Sequence, residues 1–405
     1  MNKKLKNNKW IYGFMFFMAI GLFSCHITKD ITKKYNDIII KIKKQYAPDS
    51  RVALFNIIPE KKDGKLVLLG ETNLPEAKKT LLDEFLKNNM TFVDSIKMLP
   101  DAKLGNETFG VVRLSVCNVR TKPKHPAELA SQAILGTPVN VLKENHGWYY
   151  IQTPDGYLGW VDNASITLFD PVKKDEWINS DKVIFTGIYG FVYKSPDSGA
   201  SHISDIVEGG ILKLIGESLD KNYWIVAFPD SRVGYINKNN AKKLDEFIKK
   251  VRKYDAKDIL GKAKELMGVP YLWGGTSSKM LDCSGFSKTV YFMNGIVLPR
   301  DASQQVNIGK KIKLDDNFSK LKPGDLLFFG KNRKDGTERI THVAIYIGNG
   351  KIIHETGEVK IQSLKRADPD FVEYRLKSLK QARRIIGYAG KYGVVRIKDI
   401  PYYGI

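Results

Sequence analysis

Cysteine is scarce in this chain of 405 residues: there are three, too few for the disulfide framework that holds small exported domains together. Histidine is little commoner, at six, and no His, Cys, Asp and Glu set has metal-ligand spacing, so neither a metal nor any other cofactor is expected. Acidic residues are in deficit, 44 against 65 Lys and Arg, for a formal charge of +21. The lysines are nevertheless scattered, and no homeodomain, zinc-finger or RNP-like pattern accompanies them, which argues against a nucleic-acid partner. No long stretch is poor enough in apolar residues to be a disordered arm. A globular chain of this length makes two to four domains.

The longest apolar run, Phe14 to Phe23, is too short to span a bilayer as a mature helix. It follows a basic start, Lys3, Lys4, Lys6 and Lys9, and the pair reads as a signal peptide over residues 1–25, so the protein is expected to be exported. The run ends Leu22-Phe23-Ser24-Cys25, which resembles a bacterial lipobox and implies a lipid on Cys25 and attachment to a membrane of the cell envelope. The alternative is ordinary signal cleavage nearby with an incidental cysteine. Cys117, in the β-like stretch Val111 to Val119, reads as a buried structural thiol.

Residues 26–105 form a small α/β unit. A helix over 30–46 and strands over Val52 to Ile58 and Lys65 to Leu69 precede a helix that Asn73 caps, with Leu74, Ala77, Leu81 and Phe85 on one face. Its stretch Gly64 to Leu86 resembles the BON-type modules of envelope proteins, and no chemistry is assigned to it. The chain then repeats itself. Trp148 to Val161 matches Tyr223 to Ile236 at a constant offset of 75 residues, each an aromatic strand, a Pro-Asp turn and a Gly-aromatic-aliphatic strand. Two hairpin-built barrels are expected, over 106–172 and 178–246, resembling the bacterial SH3-like pair of wall-acting proteins. A charged connector over Lys242 to Lys253 leads to a helix with Ala256, Ile259, Leu260, Ala263 and Leu266 on one face, and a last domain over 250–393.

The chemistry sits in that last domain. Cys283 stands at the start of a helix-like stretch in Leu281-Asp282-Cys283-Ser284-Gly285-Phe286, where unpaired amides and the helix dipole favour a thiolate. A base is offered by His342 in Thr341-His342-Val343-Ala344-Ile345-Tyr346-Ile347, and His354 follows 12 residues later across a hairpin. A two-residue Asn349-Gly350 loop would put the histidines on opposite faces. A three-residue Gly348-Asn349-Gly350 loop makes them diagonal neighbours on one face, so a catalytic pair requires the longer, bulged turn.

These three motifs resemble the NlpC family of papain-like murein cysteine peptidases, over about the last 140 residues. The resemblance implies an α+β multidomain protein in which a helix carrying the cysteine packs on an antiparallel sheet carrying the histidines. Cys283 would attack, His342 would hold and return the proton, and His354 would fix its ring. Tyr271 would lie beside the nucleophile, either polarising the oxyanion or simply packing.

Two SH3-like domains before the peptidase resemble the dipeptidyl-peptidase VI type, which removes L-Ala-γ-D-Glu from the following diamino acid. The implied partner is a murein tripeptide or tetrapeptide with a free amine, whose ammonium needs buried acceptors. The candidates are Asp282, Glu128 in the first SH3-like domain and its aromatic neighbour Tyr157, with Ser284 and the Asp301-Ala302 pair near the peptide. Tyr157 aligns with Arg232 in the second copy, so the scaffold itself does not require tyrosine there. Glu128 also reads as a solvated loop residue, and Asp301 as a helix cap. The rival readings are an endopeptidase or amidase on intact wall with the SH3-like pair as binding modules, and a non-catalytic anchored wall-binding protein. The identity of the diamino acid and the oligomeric state are left open.

Overall fold

The computed structural model describes residues 33–251 and 254–404. The basic start, the apolar run and Cys25 lie outside the described residues. The chain divides into two compact units, one ending at Asp101 and one beginning at Ala102.

The first unit has a helix over residues 33–46 and strands Phe55–Lys62, Lys65–Thr72 and Phe92–Met98. The first two strands pair antiparallel. The third runs parallel to the second, a pairing that needs a crossover, which helix Pro75–Lys87 supplies. One face of that helix, Ala77, Leu81 and Phe85, is fully buried against Phe55, Leu68 and Ile96. Asn73 is not its cap: Leu74 holds that position, and Asn73 Oδ1 accepts the Leu54 N–H at 2.9 Å, tying the helix entry back to the strand.

In the second unit each copy of the repeat is a seven-stranded antiparallel sheet, spanning Phe109 to Phe169 and Lys182 to Lys243. Numbering strands within each copy, both have the spatial order seventh, first, fourth, fifth, sixth, second, third. Trp148 pairs with Asp162 and Tyr223 with Asn237, so the sequence offset is also the structural one. The two turn aspartates have different partners. Asp155 pairs with Lys288 of the peptidase domain at 2.7 Å, whereas Asp230 pairs with Arg113 of the first copy at 2.9 Å. The same turn thus docks each barrel onto a different neighbour.

The peptidase domain opens with helix Ala256–Glu265, which Asp255 caps and which buries Ile259 and Ala263. Helix Cys283–Phe292 packs on a six-stranded antiparallel sheet in the order Lys310–Ile312, Leu379–Arg384, Leu326–Asn332, Glu338–Gly348, Lys351–Glu355, Val359–Ser363. Phe286, Val290 and Tyr291 of the helix meet Phe328, Val343, Ile345 and Ile353 of the sheet in one core. This is the expected α+β, papain-like arrangement. Gly285 belongs to the nucleophile motif for a packing reason: a Cβ there would lie 1.9 Å from the Gly275 carbonyl oxygen.

Two expectations about connections need correction. The charged connector contains a helix, Leu244–Val251, whose Leu244, Phe247 and Ile248 are buried. Nor does packing stop at residue 393. Strand Val395–Arg396 pairs with Ile296–Val297, and Ile397, Ile400 and Tyr403 bury beside Phe247, Ile248 and Ile184 of the second barrel. At roughly 1.5–3 kcal/mol for each large apolar side chain, this tail fastens the peptidase domain to that barrel.

Candidate active site

The site begins at the N-terminus of the Cys283 helix. Asp282 is its N-cap, its Oδ1 accepting the Gly285 N–H at 2.7 Å, so the cap itself sets the entry angle of the nucleophile. The Cys283 sulfur is buried and faces the backbone amides of Val343 and Ser284, which brings it beside His342 in the sheet. Burial, reinforced by the Asp282 charge, pushes the thiol up to about 12 against the opposing pull of those amides and Arg300. Burial thus opposes the thiolate that the helix position favours.

The histidine pair is built by the next hairpin. Ile345 pairs with Ile353 and Tyr346 with Ile352, but Gly348 pairs with Lys351, so the register slips by one residue around Ile347. The turn is the two-residue Asn349–Gly350, with φ of 52° and 76°, as a type I′ hairpin demands. The expected three-residue loop is therefore replaced by a bulge plus a short turn, which produce the same shift. His342 and His354 share a face, with His342 Nε2 2.8 Å from His354 Nδ1 and their rings nearly perpendicular. His354 Nε2 in turn lies 2.8 Å from Gln362 Oε1. Burial first, then the Arg375 charge, holds His342 well below the usual histidine value and His354 at about 4.

Tyr271 is half-buried and within electrostatic reach of the thiol. Burial and the charges of Cys283 and Asp282 raise its hydroxyl to about 12, so it stays a hydrogen-bond donor, as a group facing a developing oxyanion must. Beside it Glu355 is completely buried, and neither carboxylate oxygen has a hydrogen-bond partner among the described residues. Burial lifts this carboxyl to about 7.

The first barrel packs against the residues that surround Asp282. Trp273 Nε1 donates to Glu128 Oε1 at 2.9 Å, Tyr157 Oη donates to Asp301 Oδ2 at 3.3 Å, and Arg300 Nε donates to Ser131 Oγ at 3.1 Å. Glu128 is exposed, as its loop position suggests, while Tyr157 is buried. The approach of the barrel is close: at Gly274, φ +83°, a Cβ would meet the Leu129 carbonyl oxygen at 2.4 Å.

Asp282 does not serve as a free acceptor for an ammonium. Its Oδ1 takes Gly285 N–H, Ser284 Oγ–H and Arg300 Nη1–H; its Oδ2 takes Gly274 N–H and Arg300 Nη2–H. Five donors fill a carboxylate that offers about four lone-pair sites. Ser284 belongs to the same network, accepting from Arg300 Nη1 at 3.0 Å, and Ala302 is packed in the domain core. Asp301 both boxes the N-terminus of helix Ala302–Gln305 and faces Tyr157. Arg300 neutralises Asp282, and Glu128 carries an exposed carboxylate on the barrel side of this contact. Cys117 is fully buried in the first barrel, and burial raises its thiol to about 12, as fits a structural residue.

Comparison with known proteins agrees with this geometry. Residues 268–375 match the NlpC/P60 family, and residues 119–166 match the bacterial dipeptidyl-peptidase Sh3 domain. The chain is 28% identical over 258 residues to a gamma-D-glutamyl-L-lysine dipeptidyl-peptidase of Bacillus cereus, covering 61% of this chain and 73% of that protein. It is 26% identical over 266 residues to dipeptidyl-peptidase 6 of Lysinibacillus sphaericus, covering 64% of this chain and 93% of that protein. A crystal structure of an NlpC/P60 family protein from Bacillus cereus shares the fold, with a TM-score of 0.57 and 24% identity over 69% of this chain and 99% of its own. The last domain is thus an NlpC/P60-family cysteine peptidase domain, and the first barrel before it is a bacterial dipeptidyl-peptidase SH3 domain.

Proposed function

We propose that the protein hydrolyses the γ-D-Glu to diamino acid bond of cell-wall peptides that carry a free N-terminal L-Ala, releasing L-Ala-γ-D-Glu. The observation that carries this reading is the packing of the first barrel against the residues that surround Asp282, through the Trp273–Glu128, Tyr157–Asp301 and Arg300–Ser131 contacts. An endopeptidase on intact wall needs an open groove with room for the glycan-linked side of the peptide. The exposed Glu128 carboxylate on that barrel suits a substrate that ends there in an ammonium. The relatives named for gamma-D-glutamyl-L-lysine dipeptidyl-peptidase activity support the same bond.

In the reaction His342 takes the Cys283 proton as the sulfur attacks the γ-carbonyl, and Tyr271 donates to the oxygen that gains charge. His342 then protonates the leaving amine. Water, deprotonated by the same ring, hydrolyses the thioester and restores the thiol. No step needs a metal or cofactor.

The site of action belongs to the proposal. The basic start and apolar run over residues 1–25, ending at Cys25, support export and a lipid anchor in the bacterial envelope. Product analysis tests the activity. L-Ala-γ-D-Glu should appear from the free-amine tripeptide and not from its N-acetylated form or intact wall, and Cys283→Ala should abolish it. Equal cutting of the blocked peptide would sink the amine-recognition reading and favour the endopeptidase.

A further inference from the structure

Arg375 is a cation beside the catalytic pair that the fold leaves without a carboxylate among the described residues. It lies in helix Glu373–Ser378 and is partly buried, and among the described residues it has no carboxylate within ion-pair distance. Arg300 and Arg384 of the same domain are each held by an aspartate with two nitrogens, whereas Arg383 has only a Gln381 contact and a buried, unpartnered Nε among the described residues. Arg375 has one hydrogen bond, Nη2 to Thr356 Oγ1 at 3.2 Å, and rests 5.8 Å from the Phe329 ring centre. The Phe329 ring in turn packs at 5.7 Å against His342. The guanidinium is therefore coupled to the catalytic base through the Phe329 ring, and its charge also reaches Cys283.

That placement is unfavourable for the empty enzyme. A positive charge beside a base opposes proton uptake, and Arg375 contributes to the low basicity of both His342 and His354. Partly desolvating an unpaired guanidinium adds a cost of its own. Both penalties vanish when an anion binds there. Because His342 delivers its proton to the leaving nitrogen, the substrate anion nearest this ring is one carried by the leaving amino acid. An amino acid released from a tripeptide has its α-carboxylate two bonds from that nitrogen.

We infer that Arg375 binds the α-carboxylate of the leaving diamino acid, selecting peptides that end at that residue and neutralising the cation beside the base once substrate is in place. This rests on the dipeptidyl-peptidase reading and extends it to the leaving-group side. A guanidinium accepts a carboxylate through two parallel N–H donors, which a lysine cannot reproduce.

The test compares L-Ala-γ-D-Glu-L-Lys with its C-terminal carboxamide, using the full chain and its Arg375→Gln and Arg375→Lys variants. The wild type should favour the free acid in kcat/KM by about ten- to a hundredfold, the worth of a charge-assisted contact. Arg375→Gln should lose that preference, falling on the acid while changing little on the amide, and Arg375→Lys should keep part of it. Equal use of both substrates by the wild type, or an equal fall on both in Arg375→Gln, would overturn the inference and leave the dipeptidyl-peptidase reading intact. If the wild type cleaves neither substrate, that reading falls and takes the inference with it.

Discussion

Gln362 Oε1 lies 2.8 Å from His354 Nε2, and this contact decides which nitrogen of His342 is free to act. A carbonyl oxygen only accepts, so His354 Nε2 carries the hydrogen. Neutral His354 then has a bare Nδ1, which accepts from His342 Nε2–H, and the lone pair of His342 is left on Nδ1 for the Cys283 proton. A chain of two rings and one amide thus sets the tautomer of the base.

Replacing Gln362 by Leu removes the acceptor and lets the tautomers of both rings mix. The expected result is a fall in kcat of about ten- to a hundredfold with KM within about twofold, because only proton transfer is disturbed. Steady-state kinetics on the free-amine tripeptide checks it. A loss confined to KM would assign Gln362 to substrate binding instead.

Arg300 is 1% exposed and fills the Asp282 carboxylate with two nitrogens. Truncating one member of such a pair leaves the other charged and buried, so Arg300→Ala should lower stability by about 3–5 kcal/mol. The joint replacement Asp282→Asn with Arg300→Met, which leaves no orphan charge, should recover part of that loss. Denaturant unfolding of the three proteins measures both quantities. A loss under about 1 kcal/mol in the single variant would show that Asp282 is solvated in solution.

The sequence carried the parts of this site that depend on neighbours in the chain. The cap-and-nucleophile run from Asp282 to Phe286 is local, and the barrels were visible because a repeat displays its own register. Gln362 escaped notice because one glutamine in an alternating strand gives no signal. Only the next hairpin's register, with His354 opposite Lys360 and Ile352 opposite Gln362, makes it a diagonal neighbour of His354. Arg300 stood beside Asp301 in plain view, but its role depends on Asp282, 18 residues away, and on Ser131 of another domain. The misjudged turn has a similar origin: a bulge at Ile347 has no residue signature, although it and an extra loop residue shift the faces identically.

The depressed basicity of His342 makes a prediction about pH. Its free base is the active form, and its protonation is pushed well below the ordinary 6.5 by burial, Arg375 and His354. Wild-type kcat/KM should therefore stay level as pH falls through 6.5 and drop only below it. A pH–rate profile on the carboxamide substrate, which leaves Arg375 unpaired, isolates the effect. An acid limb centred at or above 6.5 would mean that the ring is more hydrated than its packing indicates.

Glu355 supplies the clearest link between the site and stability. Its carboxyl is lifted from 4.5 to about 7 by burial, with no hydrogen-bond partner for either oxygen among the described residues. The folded protein thus binds this proton more tightly than the unfolded chain, so stability is undiminished below 4.5 and is lost as pH rises from there to about 7. Above that window the penalty is constant, at about 3 kcal/mol for a shift of this size. Glu355→Gln abolishes the titration while keeping the shape. The variant should match the wild type near pH 4 and be more stable by about 1–3 kcal/mol at pH 8, as read from denaturant midpoints at the two pH values. An equal stability difference at both would show that the carboxylate is ionised in the fold and that a cation or solvent reaches it.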